Sequence, residues 1–332
     1  MPMISSDKDL PKLPDTPTKQ AEWAKKLVSR HLGSATTKVD KPFIEGLFSR
    51  TLFLTLSDNR KVVVQFRTEP LDLDAFEVAR DTLGHIVPHA RALEDDELLS
   101  ERVWAYCLTR LYGNMWFQGV AGKGAQGRIT INKSLGHVFS KGWLAHSSSE
   151  AIDNKIRPHL NAILASPLED ILPYRHHVQG FLNQLEQLKT LPLWVTHYDL
   201  DDVNVLVDEN CRVTGLVDWE LSTPQPFGVG FGRIHTIAGK YTGGEFRMPD
   251  EFEVAERAFW DELFDGMPID IRNILKEHIF LVQDAVILVT LLDCFFFEDE
   301  KVGFSHIALK ALPKFLTYRI PFIRGNEAPY GG

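Results

Sequence analysis

The sequence has few cysteines, and its first residues have no apolar run. Only three cysteines occur in 332 residues, Cys107, Cys211 and Cys294, and no two of them form a CxxC pair. This spacing excludes a disulfide framework and a cysteine zinc site, and it favours reduced thiols in a cytoplasmic protein. Residues 1–19 are polar and contain several prolines, without the apolar core of a signal peptide, so we expect a flexible tail there.

A long uncharged apolar stretch is also absent. The most apolar part of the chain, His278–Phe297, is interrupted by Gln283, Asp284 and Asp293. Charged groups at the centre of a membrane helix are costly, so we expect no membrane span. Its apolar residues recur at helical spacing, which predicts a buried helix of a globular protein.

Positive charge is scarce. The chain has 36 Lys and Arg against 45 Asp and Glu, a net charge of −9. Long-range electrostatics therefore disfavour a nucleic acid as partner, although a locally basic cleft is still compatible with a nucleotide. The length suits one large domain or two lobes, and the sequence leaves the oligomeric state open.

Strand-like patterns dominate the first third of the chain. A helix is predicted to end at Gly33, and an alternating strand, a turn at Asp58-Asn59 and a second strand predict a hairpin. The predicted elements are a helix over Gln20–Leu32, strands over Thr51–Ser57 and Lys61–Arg67, a helix over Leu73–Leu83 and a strand over Val103–Tyr112.

Helical periodicity prevails after Gly113, with one short hairpin between helices. The predicted helices are Ile131–Phe139, Ser148–Leu164, His177–Leu188, Glu251–Leu263 and Ile271–Leu292, and the hairpin strands are Val205–Val207 and Val213–Val217. This order predicts an α+β fold with a small β-rich N-lobe over residues 20–112 and a large, mainly helical C-lobe over residues 113–332.

The hairpin lies within the most informative segment, WVTHYDLDDVNVLVDENCRVTGLVDWE at residues 194–220. His197, Asp199 and Asn204 have the spacing H-x-D-x-x-x-x-N, and Asp218 stands directly after the second strand. Phosphoryl transfer needs a carboxylate that accepts or orients the acceptor's hydroxyl proton, which suits Asp199. It also needs hard oxygen ligands for Mg²⁺, which suits Asn204 and Asp218. The alternative is that His197 packs in the core, Asp199 forms a turn and Asp218 is a solvated strand end.

This segment resembles the catalytic and metal-binding region of the aminoglycoside phosphotransferase and choline kinase-like family, which shares the protein-kinase fold. The family's H-G-D-L-H-x-x-N followed by I-D-W-E is matched by His197-Tyr198-Asp199-Leu200, Asn204 and Val217-Asp218-Trp219-Glu220. The stretch from Phe227 to Trp260 is similar to fungal phosphotransferase-like members. The resemblance implies a two-lobed protein-kinase-like enzyme that uses ATP and Mg²⁺, with Asp199 and His197 as catalytic residues.

The same resemblance implies nucleotide contacts in the N-lobe. A phosphate-covering loop falls at Glu45–Arg50, where Ser49 and backbone N–H groups would contact phosphate. Arg67, with Gln65 on the same strand face, takes the place of the lysine in a V-A-I-K-like run. Glu77 on the next helix is the expected acidic partner of Arg67, with Asp74 and Asp81 as alternatives. The connection near Tyr106–Leu111 would bind adenine.

The acceptor is expected to be a small molecule with a hydroxyl group. Asp201, Asp202 and Glu220 would form an acidic rim that favours a cationic acceptor, or they shape the loop or assist the metal. Aromatic residues in Phe227–Tyr241, with Phe259 and Trp260, would add cation–π contacts or pack in the core. The leading hypothesis is an ATP-dependent small-molecule kinase. The alternative is a pseudokinase-like binding or regulatory protein, and a protein kinase is disfavoured because H-R-D, D-F-G and A-P-E are absent.

Overall fold

The computed structural model describes residues 4, 6–46, 48–119, 122–233, 239–242, 245–298 and 300–324, with backbone only at 240–242. The chain divides into two compact units. The first unit comprises residues 1–80 and 85–112, and the second comprises residues 81–84 and 113–332.

The first unit is built on a five-stranded antiparallel sheet of order β1-β2-β3-β5-β4. Its strands are β1 Thr36–Asp40, β2 Arg50–Leu56, β3 Lys61–Arg67, β4 Ala90–Ala92 and β5 Trp104–Thr109. Its helices are α1 Pro17–Leu32, α2 Leu73–Leu83, which ends in the second unit, and α3 Asp96–Ser100.

One face of this sheet forms the core of the first unit. The side chains of β2 and β3 alternate between buried and partly exposed positions, so that Leu54, Val64 and Phe66 point to one side. These residues pack in one apolar cluster with Leu27 of α1. The helix α1 ends at Gly33, as the sequence predicted, with that glycine in the left-handed conformation. It begins three residues earlier than predicted, at Pro17 after a Thr16 N-cap.

The segment before α1 differs from the expected flexible tail. Within its described residues, Ile4 and Leu10 are buried in the apolar cluster of the first unit. The Arg50 guanidinium donates to the Ile4 carbonyl at 2.9 Å and lies 3.3 Å from a carboxylate oxygen of Asp7. Ile4 and Leu10 are isolated apolar residues in a polar segment. The overall composition of the segment therefore did not predict that they would pack in the core.

The second unit is mainly helical. Its helices are α4 Trp116–Gly119, α5 Gly124–Phe139, α6 Ser149–Ala151, α7 Arg157–Ala165, α8 Arg175–Leu188, α9 Phe252–Gly266, α10 Ile269–Glu277, α11 Ile279–Cys294, α12 His306–Leu316 and α13 Pro321–Arg324. A π-helical turn at Ile152–Ile156 joins α6 to α7. Its short strands are β6 Asn114–Met115, β7 Trp143–Leu144, β8 Leu193–Trp194, β9 Val205–Val207, β10 Val213–Leu216, β11 Gln225–Pro226, β12 Lys240–Thr242, β13 Glu245–Arg247, β14 Phe297–Glu298 and β15 Lys301–Val302.

The single helix predicted over Ile271–Leu292 is wrong. The structure has two helices, α10 and α11, because the backbone leaves the helical region at His278, with φ −105° and ψ 28°. The helix α11 is buried around most of its circumference, as its apolar composition predicted. Among the described residues, no helix is long and apolar enough to cross a bilayer.

Two contacts within the second unit position the elements around the hairpin, one between helices and one between strands. The helices α5 and α9 pack closely at Gly136, where an added Cβ would clash with the Phe259 carbonyl and lie 3.1 Å from the Leu263 nitrogen. The short strand β11 pairs with β8 through Gln225 and Trp194, so the chain after the hairpin returns beside the strand that precedes residue 197.

Candidate active site

The hairpin of β9 and β10 brings two predicted metal ligands to one end of the same ladder. Val205 pairs with Leu216, and the Val217 N–H donates to the Asn204 carbonyl at 3.0 Å. The residue before β9 and the segment after β10 are therefore hydrogen-bonded neighbours, and Asp218 is the next residue along. The sequence spacing predicted this arrangement because a tight hairpin returns its two ends to the same place.

The Asn204 side chain joins the hairpin to Asp199. Its amide Nδ2 donates to the Asp199 carbonyl at 2.9 Å and lies 3.4 Å from Asp199 Oδ2. Asn204 is buried, whereas the Asp199 side chain is 41% exposed. The loop thus presents a solvent-accessible carboxylate whose backbone is fixed by a buried amide.

Asp218 has an unusual backbone conformation. Its φ is +70°, in the left-handed region that few residues other than glycine adopt, and its side chain is exposed. Aspartate and asparagine tolerate this region better than other residues, and such strain is concentrated at functional sites. Trp219, which follows, is fully buried and donates to the Leu216 carbonyl, so it anchors the turn that exposes the carboxylate.

His197, predicted as catalytic, has the position of an anchor. It is 1% exposed, its ring packs edge-on to Trp219 and its Nε2 lies 2.7 Å from the Val217 carbonyl. Because a carbonyl only accepts, Nε2 carries the proton. Burial lowers the pKa of His197 to about 4, so the ring is neutral at neutral pH. A buried neutral ring bonded to the backbone positions the loop and is badly placed to exchange protons with an acceptor.

The acidic rim stays a prediction, and two of its three residues are exposed. Asp201 and Asp202 are exposed, and the Asp202 N–H donates to the Asp201 carboxylate at 2.5 Å. The pKa of Asp202 is raised to about 6, mainly by desolvation and secondly by the hydrogen bond with Asp201. Glu220 is only partly exposed. The negative charge of this rim therefore decreases below about pH 6.

Sequence reasoning missed a cation beside the predicted base. Arg233 donates through a terminal guanidinium nitrogen to Asp199 Oδ1 at 2.8 Å and through Nε to Asp293 Oδ2 at 3.2 Å. Each of the two new residues follows an uncharged sequence, PQPFGVGFG before Arg233 and AVILVTLL before Asp293. Two opposite charges that each end an apolar segment are a signal for a buried pair, because burial requires a partner.

Electrostatics in this cluster follow from its burial. Burial alone would lower the pKa of Arg233, but the charges of Asp293 and Asp199 outweigh it and raise that pKa above its ordinary value. Desolvation raises the pKa of Asp293, opposed by the Arg233 charge. Burial, with the Asp293 charge, also raises the pKa of the neighbouring Tyr198 hydroxyl. Arg233 therefore stays charged under all ordinary conditions.

The predicted nucleotide-contacting residues lie in the first unit. Gln65 and Arg67 are on the face of β3 opposite the apolar cluster, as the alternation predicted, and Arg67 is 3% exposed. Glu77 is exposed on α2. Ser49 is 6% exposed, with its hydroxyl 3.4 Å from that of Thr51, which disfavours a direct phosphate contact by this hydroxyl. Residue 47 of the same loop is outside the described residues.

The aromatic residues expected near the acceptor are core residues where they are described. Phe227, Phe231, Phe259 and Trp260 are fully buried and form edge-to-face pairs with one another. Residues 234–238 and the side chains at 240–242 lie outside the described part. A cavity of about 460 Å³ beside α8 and α11 has none of the eight predicted site residues in its lining.

The donor chemistry around residue 199 suits Mg²⁺. An amide oxygen on Asn204 and an exposed carboxylate on Asp218 are hard ligands, and Mg²⁺ commonly takes one or two protein oxygens and completes its shell with water and phosphate. Within the described residues no cluster of three or more His, Cys, Asp or Glu side chains is placed to hold a metal. Asn204 and Asp218 together would supply two protein ligands, fewer than the three of such a cluster.

Comparisons with known proteins agree with this geometry. The sequence profile of the family described as "APH: Phosphotransferase enzyme family" matches residues 150–255, which include the hairpin and Arg233. No curated protein gives a significant match to the sequence.

Solved structures show the same fold at low sequence identity. An ethanolamine kinase of Plasmodium vivax has 12% identity and a TM-score of 0.56, covering 94% of this chain and 91% of its own. A choline kinase of Cryptosporidium parvum Iowa II has 11% identity and a TM-score of 0.54, covering 92% and 97%. The aminoglycoside phosphotransferase APH(4)-Ia has 13% identity and a TM-score of 0.52, covering 83% and 90%.

These findings confirm the predicted resemblance and the predicted α+β, protein-kinase-like fold. The fungal character of the resemblance stays a prediction. The family match over residues 150–255 supports a small-molecule kinase of the phosphotransferase type, and the solved structures show the fold.

Proposed function

We propose that this kinase transfers the γ-phosphoryl group of ATP to a hydroxyl group of a small molecule. The supporting observation is the convergence of Asp199, Asn204 and the backbone of Asp218 at one end of the β9–β10 hairpin. Asn204 and Asp218 would hold Mg²⁺, which neutralises phosphate charge when it is bound.

The reaction assigned to Asp199 is proton acceptance. Its exposed carboxylate accepts the proton of the acceptor hydroxyl while the hydroxyl oxygen forms a bond to the γ-phosphorus. The bond between that phosphorus and the bridging oxygen breaks, and ADP leaves. His197 holds the loop in place from behind. Arg67, Gln65 and Glu77 keep their predicted roles at the nucleotide.

The experiment is calorimetry and turnover with Mg²⁺-ATP. We expect the wild-type protein to bind Mg²⁺-ATP and to hydrolyse it slowly. Asp199→Asn should leave binding unchanged and lower turnover by roughly 10²- to 10⁴-fold, the usual contribution of a general base. Asp218→Asn, which keeps the tolerance for positive φ, should weaken Mg²⁺-ATP binding itself.

The matched control is Asp208→Asn at the opposite end of the same hairpin. The Asp208 side chain accepts from the Asn210 and Arg212 N–H groups, and asparagine retains an acceptor oxygen. This variant should bind and hydrolyse Mg²⁺-ATP like the wild type. Mass spectrometry of hydroxyl metabolites incubated with enzyme and ATP would then identify the acceptor class.

The burial of Arg67 and Ser49 favours one other candidate, a pseudokinase-like binding or regulatory protein. An arginine is bulkier than the lysine of related kinases and contacts phosphate differently. Binding of Mg²⁺-ATP without turnover, or the absence of any nucleotide binding, would favour this second function over the first.

A further inference from the structure

We infer that Arg233 and Asp293 are positioning residues that hold the Asp199 carboxylate in the orientation needed to receive the acceptor's hydroxyl proton. The inference rests on the proposed function and assigns two residues outside the H-x-D-x-x-x-x-N segment to it.

The contacts on Asp199 are divided between its two oxygens. Oδ1 receives the Arg233 guanidinium at 2.8 Å, while Oδ2 lies 3.4 Å from the Asn204 amide nitrogen. The strong charge-assisted bond on one oxygen limits rotation of the carboxylate. Among the described residues, Oδ2 has only the longer contact, so it is the oxygen that we assign to the hydroxyl proton.

Arg233 is itself held by a third group. Its Nε donates to Asp293 near the C-terminal end of α11, and the side chains of Arg233 and Asp293 are 32% and 16% exposed. The guanidinium is planar and rigid, so bonds to two carboxylates fix its plane. A catalytic carboxylate on a loop thus becomes attached to a long buried helix through one arginine.

The chain before Arg233 is also fixed, because three alternating glycines lie against their neighbours. An added Cβ at Gly228 would lie 2.8 Å from the Ala285 Cβ, and one at Gly232 would clash with Val289, both on α11. An added Cβ at Gly230 would clash with Thr196, the residue before His197. This glycine segment, residues 228–232, therefore delivers Arg233 from a defined backbone position.

The other described charges and titratable groups near this pair are consistent with a positioning role. Tyr198 and His197 come from the catalytic loop, and both influence the electrostatics of Arg233, Asp293 or Asp199. Neither is a cation at neutral pH, so Arg233 is the charged partner of Asp199 among these groups.

The test compares Arg233→Ala, Arg233→Lys and Arg157→Ala for Mg²⁺-ATP affinity and for turnover. Arg157 is a matched control, since it also bonds two carboxylates, Asp153 and Glu186, and is 35% exposed. We expect Arg233→Ala to lower kcat by about 100-fold, the cost of a misplaced catalytic group, with unchanged Mg²⁺-ATP affinity. Arg233→Lys should be intermediate because lysine lacks the fork, and Arg157→Ala should match the wild type.

Two further measurements separate positioning from loss of structure. Millimolar guanidinium should restore part of the turnover of Arg233→Ala and have no such effect on Arg157→Ala. The double variant Arg233→Met/Asp293→Asn removes both partly buried charges, so its melting temperature should exceed that of Arg233→Ala while its turnover stays low.

Wild-type turnover in Arg233→Ala, or a loss of turnover that guanidinium leaves unchanged and that parallels a loss of nucleotide binding, would overturn the inference alone. A wild-type protein that neither binds nor hydrolyses Mg²⁺-ATP would overturn the proposed function, and the inference with it.

Discussion

Two residues at the candidate site depart from their usual state in water, one in its backbone conformation and one in its pKa. Asp218 has a positive φ, and His197 is neutral because it is buried. His197 precedes the β9–β10 hairpin and bonds to the Val217 carbonyl after it, next to Asp218. At this scale, the proposed catalytic and metal-binding residues and the anchoring ring of His197 are neighbours in sequence, which is why the motif predicted them together.

His197 makes folding stability depend on acidity. Its pKa is about 4 in the folded protein and 6.5 in the unfolded chain, so the unfolded state binds the proton more readily. The stabilisation is complete above pH 6.5 and is lost as the pH falls to about 4. The loss is at most about 3 kcal/mol.

His197→Gln should remove this component, because glutamine offers a similar N–H to the Val217 carbonyl and does not titrate. Urea unfolding at several pH values between 4 and 7 would measure it. An equal acid-side loss of stability in wild type and His197→Gln would show that His197 does not cause it.

At the scale of elements, the sequence predicted the strands better than their packing. Strand β3 and helix α2 have the predicted bounds because alternation and helical spacing are local properties. Strand β1, Thr36–Asp40, was missed because none of its residues is fully buried and its apolar pattern is weak. The break at His278 was missed because no glycine or proline marks it, and apolar residues continue at helical spacing through Leu275, Ile279 and Val282.

The candidate site shows the same division. The hairpin and its two predicted metal ligands lie within the 15 residues from Asn204 to Asp218 and follow from spacing. Arg233 contacts Asp199 across 34 residues and Asp293 across 60, and no local pattern determines such distances. Long-range partners of this kind depend on how helices pack, which a single sequence does not encode in any short window.

Close packing of α5 on α9 provides a prediction at this scale. Gly136→Ala places a Cβ against the Phe259 backbone, which cannot move aside like a flexible side chain. Overpacking of this kind should lower the free energy of unfolding by about 1–3 kcal/mol. Thermal unfolding would measure the change.

Gly180 on α8 is the matched control, since an added Cβ there meets no atom within 4 Å. Gly180→Ala should raise stability by roughly 0.5–1 kcal/mol, because alanine is the better helix former. Equal effects of the two substitutions would contradict the proposed contact.

At the scale of the whole molecule, a second buried titratable group opposes His197. Glu256 on α9 is fully buried and bonds to the Tyr318 hydroxyl and to Arg324 of α13. Desolvation raises the pKa of Glu256 to about 7, against the attraction of Arg324. Its stabilisation is complete below pH 4.5 and is lost as the pH rises through about 7, the opposite direction to His197.

Between pH 4.5 and 7, ionisation of Glu256 should lower the free energy of unfolding of the wild type by up to about 3 kcal/mol. Glu256→Gln should therefore not show this decrease. Between pH 4.5 and 6.5 the two slopes oppose each other, so the wild type should change little there. Unfolding curves of the wild type, Glu256→Gln and the exposed control Asp261→Asn across this range would test the opposition. A flat profile in all three proteins would contradict it.

The alternating glycines at 228, 230 and 232 restrict how this enzyme can change. Any larger residue there pushes against α11 or Thr196, and the displacement reaches Arg233 within a few bonds. Substitutions at these positions, whether selected or designed, must therefore be accompanied by changes in α11 or at Thr196, because the segment itself has no room for even one methyl group.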